Sequence, residues 1–208
     1  MDEKIEYKRE VYRKLFHLSS IWVSVALWYM PFDMSVKFFG LLYILLLISE
    51  LLRIYCPLVK NLYIYLFGNY MRAREKNVSK PSFIGSYYVV LATFMGVLFF
   101  SKISVVTAVS IMVISDSAAA LIGRKFGKNK LLDKSWEGFI AFLVSGWLTI
   151  MVIYYLIHAN SLFIISGCVA VVGSAIAELY SSRLKIDDNL TIVVACGIVM
   201  DLVFYLLQ

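Results

Sequence analysis

The sequence predicts an all-α polytopic membrane helix bundle of about seven transmembrane helices plus one interfacial or re-entrant helix, and three observations predict it. Of the 208 residues 61% are hydrophobic and only 16% are charged, with a mean hydropathy of +0.80, outside the balance of soluble domains. Apolar runs near the ~20 residues that cross a hydrocarbon core recur from Leu15 to the C-terminus. Charges fall in the gaps between these runs, which leaves no room for a soluble domain and makes residues 1–208 a single integral membrane unit.

In chain order, residues 1–14 form a charged cytoplasmic segment. Leu15 to Met30 reads as a retained signal anchor, because no small-residue cleavage site follows it. Val36 to Leu52 is the second span. Ile54 to Phe67 is short and interrupted by Pro57, Lys60 and Asn61, which suits an interfacial or re-entrant helix better than a crossing. Phe83 to Phe100, Ile103 to Ile122, Phe139 to Ile157, Leu162 to Leu179 and Leu190 to Leu207 complete the set. Pro81 suits a first helical turn, and Ser82, Ser135, Asp187 and Asp188 suit caps. The pairs Ala170/Ser174 and Gly173/Ala177 place small residues at the spacing that lets helices approach in lipid. Cys56, Cys168 and Cys196 lack the spacing of a zinc or disulfide framework.

With seven crossings, all but Lys37 and Lys102 of the 20 Lys and Arg fall on one side. The positive-inside rule makes that side, and the N-terminus, cytoplasmic and puts the C-terminus opposite. The net charge of +6 is thereby explained by orientation and by anionic lipid or phosphate, not by nucleic acid.

Ionisable groups within spans are costly enough to mark function. Asp116 lies seven residues before Gly123, roughly 10 Å below the cytoplasmic end of its helix. Glu50 and Glu178 sit near the cytoplasmic ends of their spans, and Glu137, Asp187 and Asp188 at the cytoplasmic starts of theirs. Each could pair with a nearby base, as Glu50 with Arg53 one turn on. Asp116 has no base within a turn, so it needs a metal, a proton or a distant partner, and a hard cation such as Mg²⁺ would suit it. The loop Arg124, Lys125, Lys128, Lys130, Lys134 either serves orientation alone or forms an anion site with Gly123, Gly127 and the helix start at Ser135. It is not a Walker A loop, having one residue too few between its glycines. His17 shares a helix face with Glu10 and Lys14, with Arg13 beside it.

The run Asp116-Ser-Ala-Ala-Ala-Leu-Ile-Gly123-Arg124-Lys-Phe126-Gly127-Lys128, followed by Lys134-Ser135-Trp-Glu137-Gly138, resembles the membrane family that joins phosphatidate cytidylyltransferases to CTP-dependent dolichol, polyprenol, phytol and diacylglycerol kinases. Glu10-x-x-Arg13-Lys14-x-x-His17 resembles the opening signature of the kinase branch, and Asp187-Asp188-Asn189-Leu190-Thr191-Ile192 its C-terminal signature. Val193 stands where that branch usually has Pro, and the closing signature of the cytidylyltransferase branch is missing.

The resemblance implies transfer of the γ-phosphate of CTP to a membrane lipid alcohol at the cytoplasmic face. It implies Mg²⁺ on Asp116 with Glu178, Asp187 or Asp188. The nucleotide would meet Arg13, Lys14, Arg124, Lys128, Lys130, Lys134, Ser135, Glu137 and Asn189. Asp187, Asp188 or His17 would serve as base. The alternatives are a CDP-lipid synthase, which releases pyrophosphate, and a non-enzymatic transporter or scaffold, which would spread its acids through the membrane depth.

Overall fold

A computed structural model describes residues 2–68, 71 and 83–207, with side chains from residue 7 onward. The caps expected at Pro81 and Ser82 lie outside the described residues. Among the described residues the chain forms nine helices and one short hairpin: α1 (Asp2–Ser19), α2 (Ile21–Tyr29), α3 (Phe32–Tyr55), α4 (Pro57–Phe67), α5 (Gly85–Phe99), α6 (Lys102–Phe126), β1 (Lys130–Leu131), β2 (Lys134–Ser135), α7 (Trp136–Ile157), α8 (Ser161–Leu184) and α9 (Asp188–Leu207).

Five of these, α3, α6, α7, α8 and α9, are long and apolar enough to cross a membrane, and α5 is apolar but only 15 residues long. The first expected span is broken. Ser19 Oγ donates to the Phe16 carbonyl at 2.6 Å and the Ser20 N–H turns back to His17 O at 2.9 Å, so α1 stops and α2 restarts at a serine pair, a common place for a kink. The stretch after α3 also divides. Pro57 disfavours helix at Cys56 and opens α4, whose 11 residues are all at least partly exposed. At ~16 Å that helix is too short to cross.

Among the described residues, α1 with α2, α3, α5, α6, α7, α8 and α9 make seven runs between the two ends of the bundle. Lys102 Nζ donates to the Met30 carbonyl at 3.0 Å, joining the end of α2 to the start of α6. The Ile84 N–H donates to Glu50 Oε2 at 3.0 Å, joining the end of α3 to the start of α5 at the other end. Glu50 also takes Arg53 Nε at 3.0 Å and Nη2 at 2.8 Å, the one-turn pairing its spacing allowed. That use makes it an anchor for α3 and α5.

At the opposite end Asp201 of α9 accepts from the Ser101 N–H at 2.9 Å, Ser101 Oγ at 2.7 Å and Ser104 Oγ at 2.6 Å. A carboxylate at the start of α6 satisfies the N–H of the cap residue Ser101 and meets the positive end of the helix dipole.

Helix α6 is the axis of the bundle, its residues Val105 to Val113 all buried, with α1, α2, α7 and α9 packed around it. Phe142 and Ile150 of α7, Phe163 of α8, and Ile192 and Met200 of α9 complete the interior at 0–1% exposure. Lipid is as apolar as leucine, so close packing holds such an interior together more than exclusion of water does. Small residues permit it: a Cβ at Gly146 would meet Val171 at 2.7 Å, and one at Gly173 would meet Val199 at 3.0 Å. Ser110, Ser117 and Ser174 return their hydroxyls to carbonyls four residues back at 2.7–2.8 Å, which leaves those donors satisfied within apolar surroundings.

Candidate active site

Three glycines bring α6 and α7 together at the polar end of the bundle. A Cβ on Gly138 would stand 2.9 Å from the Ala119 carbonyl oxygen and 3.3 Å from the Gly123 Cα, and one on Gly127 would stand 2.8 Å from Ser135 Oγ. The spacing of Gly123, Gly127 and Gly138 is therefore a backbone contact between two helices. Gly138→Ala should lower stability by about 1–3 kcal/mol, the usual cost of overpacking, measured as loss of the folded fraction on heating in detergent; an unchanged transition would show that α7 shifts freely.

Between the two helices the chain makes the hairpin β1–β2, paired Lys130 to Ser135 and Leu131 to Lys134. Its turn places Leu132 at φ 56°, a conformation uncommon outside glycine. No sequence signal announced this turn. It carries Lys130, Asp133, Lys134 and Ser135 to the wall of a cavity of about 460 Å³, where Glu10, Arg13 and Lys14 of α1, Asp116 and Arg124 of α6, Glu178 of α8 and Asp188 of α9 join them. Ala119, Ala120, Phe139 and Leu179 supply apolar wall.

Two buried ion pairs organise the cavity. Lys14 Nζ, its side chain 1% exposed, pairs with Asp116, which is the distant partner that carboxylate required. His17 Nε2 lies 3.6 Å from the same oxygen and 3.4 Å from the Met112 carbonyl. Lys134 pairs with Glu178, whose side chain is 5% exposed. Asp116 and Glu178 thus each have a lysine to offset their charge.

Glu10 holds the arginines. It pairs with Arg13 and stands 3.5 Å from Arg124 Nη2, so one carboxylate positions guanidinium groups from two helices. Sequence reasoning left Glu10 out of the site although it opens the N-terminal signature. Burial pushes its carboxyl up, but the Arg13 hydrogen bond and the charges of Arg13, Arg124 and Lys14 outweigh that and hold it below its ordinary 4.5. A depressed carboxyl contributes stability that is fully present above the unfolded value and lost as pH falls through the folded one. The melting difference between wild type and Glu10→Gln should therefore stay constant above pH 4.5 and close below it; a difference that persists unchanged into acid would show that the charge is not what Glu10 contributes.

Other expected residues stand beside the cavity. Glu137 Oε1 accepts the N–H groups of Lys128 at 3.0 Å and Asn129 at 3.4 Å, fastening the loop after α6, while the Lys128 side chain is exposed and does not line the cavity. Ser135 Oγ accepts the Gly138 N–H at 3.1 Å and Trp136 N–H donates to the Asn129 carbonyl at 3.0 Å, so the start of α7 is partly satisfied from within. Asp187 Oδ1 accepts Asn189 Nδ2 at 2.8 Å and its N–H at 3.2 Å, a cap for α9. Only Asp188 of that signature lines the cavity.

Among the described residues no three His, Cys, Asp or Glu side chains cluster tightly enough to hold a metal ion by themselves. The donor set nevertheless fits a magnesium ion that arrives with phosphate oxygens. Asp116, Glu178 and Asp188 line one cavity with hard oxygen donors, and such ions are bound through one or two carboxylates plus substrate phosphates.

Comparison with known proteins agrees with the motifs. The chain is 29% identical over 223 residues to the CTP-dependent diacylglycerol kinase 1 of Saccharomyces cerevisiae, covering 94% of this chain and 74% of that one. It is 28% identical over 149 residues to the CTP-dependent diacylglycerol kinase 1 of Eremothecium gossypii, covering 66% and 45%. An uncharacterised Rickettsia prowazekii protein is 27% identical over 187 residues, covering 90% and 91%. No solved structure matches. The family profile described as the cytidylyltransferase family matches residues 1–188, which takes in all three signatures except the last residues of the third. From its N-terminal acid-base pattern to the first residue of α9, the chain belongs to the cytidylyltransferase family.

Proposed function

We infer that the chain is a CTP-dependent lipid kinase that moves the γ-phosphate of CTP to the hydroxyl of a membrane lipid alcohol at the cytoplasmic leaflet. One observation carries the reading. A single cavity at one end of a membrane bundle gathers Arg13, Lys14, Arg124, Lys130 and Lys134 against Glu10, Asp116, Asp133, Glu178 and Asp188. Phosphoryl transfer asks for positioning and charge neutralisation more than covalent chemistry, and this wall supplies both. The names of the two fungal relatives favour diacylglycerol over polyprenol, dolichol or phytol as acceptor.

Basic and acidic groups balance on the cavity wall, so a triphosphate enters favourably with its own cations or by drawing lysines off their carboxylates. Mg²⁺, when bound at Asp116 with Glu178 or Asp188, neutralises phosphate charge. Arg13 and Arg124, held by Glu10, offer planar donors to phosphate oxygens, and Lys130 and Lys134 approach from the hairpin. The lipid oxygen attacks the γ-phosphorus, the bond to the CDP oxygen breaks, and the hydroxyl proton passes to a base. Asp188 suits that role better than Asp187 or His17, because of the three it alone lines the cavity.

The family name favours a second reading, a cytidylyltransferase that joins CMP to a lipid phosphate. Purified protein in nanodiscs with γ-labelled CTP, Mg²⁺ and either diacylglycerol or phosphatidate separates the two: label in the lipid means kinase, and label in pyrophosphate means transferase. Orientation has its own test. A cysteine at Lys130 should react with impermeant reagent only from the cytoplasmic side and one at Ala159 only from the other; reaction of both from one side would refute the seven-span arrangement.

A further inference from the structure

Midway down the bundle, an apolar groove of about 580 Å³ opens between α2 and α7. Its floor is α6, where Val106 and Ser110 are 7% and 6% exposed, while its rims, Val25 of α2 and Leu148 and Val152 of α7, are 53–62% exposed. It is therefore a trough open to the surroundings of the bundle rather than an enclosed void.

Of the four serine and threonine hydroxyls along it, Ser24 Oγ is buried without a hydrogen-bond partner, and the other three are engaged within their own helices. Ser110 donates to the Val106 carbonyl, Ser145 to the Ala141 carbonyl and Thr149 to the Ser145 carbonyl, each at 2.6–2.8 Å and each within its own helix. Most of the remaining lining is hydrocarbon, from Ile21, Val25, Val106, Ile114, Leu148 and Val152. Its length follows from the helix: Ser145 to Ile157 of α7 both line it, a distance of ~18 Å at 1.5 Å per residue.

The upper end is level with the active-site cavity. Ile114, the topmost floor residue, is two positions from Asp116, about 3 Å along the axis. A Cβ on Gly146, next to Ser145, would stand 3.3 Å from Ser115 Oγ, which fixes the top of the α7 rim at the same height. His17, four positions before the groove residue Ile21, touches Asp116 and marks the boundary between groove and cavity.

We propose that this groove between α2 and α7 holds one hydrocarbon chain of the lipid substrate, entering sideways from the bilayer, while the lipid's polar end stands at the level of Asp116. The proposal rests on the lipid-kinase reading above. A mostly apolar trough, beginning at the depth of the reacting groups and running away from them, matches a chain that continues from a headgroup into the membrane.

The test fills the lower half of the groove. Val152→Trp places an indole on an exposed rim, about 10 Å below Ser145, and Val169→Trp on the lipid-facing side of α8 is the control. In nanodiscs, Val152→Trp should raise the apparent KM for dioleoylglycerol at least fivefold and leave those for dioctanoylglycerol and CTP within twofold, with Val169→Trp unchanged. Equal effects on both acceptors, or none on either, overturn the groove. If wild-type protein phosphorylates neither acceptor, the kinase reading fails, and photolabelling decides the groove separately. A diacylglycerol carrying a diazirine midway along one chain should then crosslink to α2 and α7 and lose that crosslink in Val152→Trp, whereas labelling spread over α3 and α8 and indifferent to the substitution refutes it.

Discussion

Asp116→Asn should abolish turnover and, on its own, also destabilise the protein. The amide keeps the shape of the side chain but removes the charge that a cation at the phosphates would need. It also strands Lys14, whose side chain is 1% exposed and paired to that carboxylate. Breaking a buried pair from one side typically costs about 3–5 kcal/mol, because the remaining charge is uncompensated, whereas removing both partners is often nearly neutral. The double variant Lys14→Met/Asp116→Asn should therefore recover most of the lost thermal stability in detergent while remaining inactive. Near-normal phosphate transfer by folded Asp116→Asn would reduce Asp116 to the structural partner of Lys14.

Lys134→Ala should cost at least tenfold in turnover or in the apparent CTP constant, Lys134→Arg should be partly impaired, and Lys125→Ala should stay near wild type. Loss of one charge-assisted contact to phosphate is worth about 1.5–3 kcal/mol, and a planar guanidinium does not replace a compact ammonium freely. Lys125 is exposed, does not line the cavity, and lies over the Phe126 ring at 5.1 Å. Since Lys134 also neutralises buried Glu178, the decisive comparison is Lys134→Ala/Glu178→Gln against Glu178→Gln alone, read as the apparent CTP constant. If the lysine serves only that carboxylate, the two variants match. If it serves phosphate as well, the double variant is the weaker by at least tenfold while its stability matches that of Glu178→Gln. Equal losses at Lys134 and Lys125 would show that only total charge matters.

Much of the bundle was legible because bilayer thickness turns hydropathy into helix length, and because an acid in a span is conspicuous. Glu50 and Arg53 are one turn apart, and proximity in sequence made their pairing readable. The partner of Asp116 was not, since Lys14 lies 102 positions away and only the packing of α1 on α6 brings them together. The hairpin also escaped notice. It is two residues per strand, shorter than any periodicity can register, and its turn uses Leu132 at positive φ where a glycine or asparagine would have signalled it. Glu137, Lys128 and Asn189 belong to the same motifs as the cavity residues, yet they fasten loops and a helix start. Spacing identifies which residues act together and not which of them face the substrate.

The Asp201 clamp on Ser101 and Ser104 gives the two acid-bearing helices a common origin. From Ser104 to Asp116 along α6 is twelve residues, and from Asp201 back to Asp188 along α9 is thirteen, or ~18 Å and ~20 Å at the helical rise. The helices run antiparallel from one fixed point, so they work as matched rulers: a hydrogen-bonded knot at the far face sets the two carboxylates level with each other at the near one. The depth of the proposed reaction plane is in this sense measured out from the face opposite the cavity.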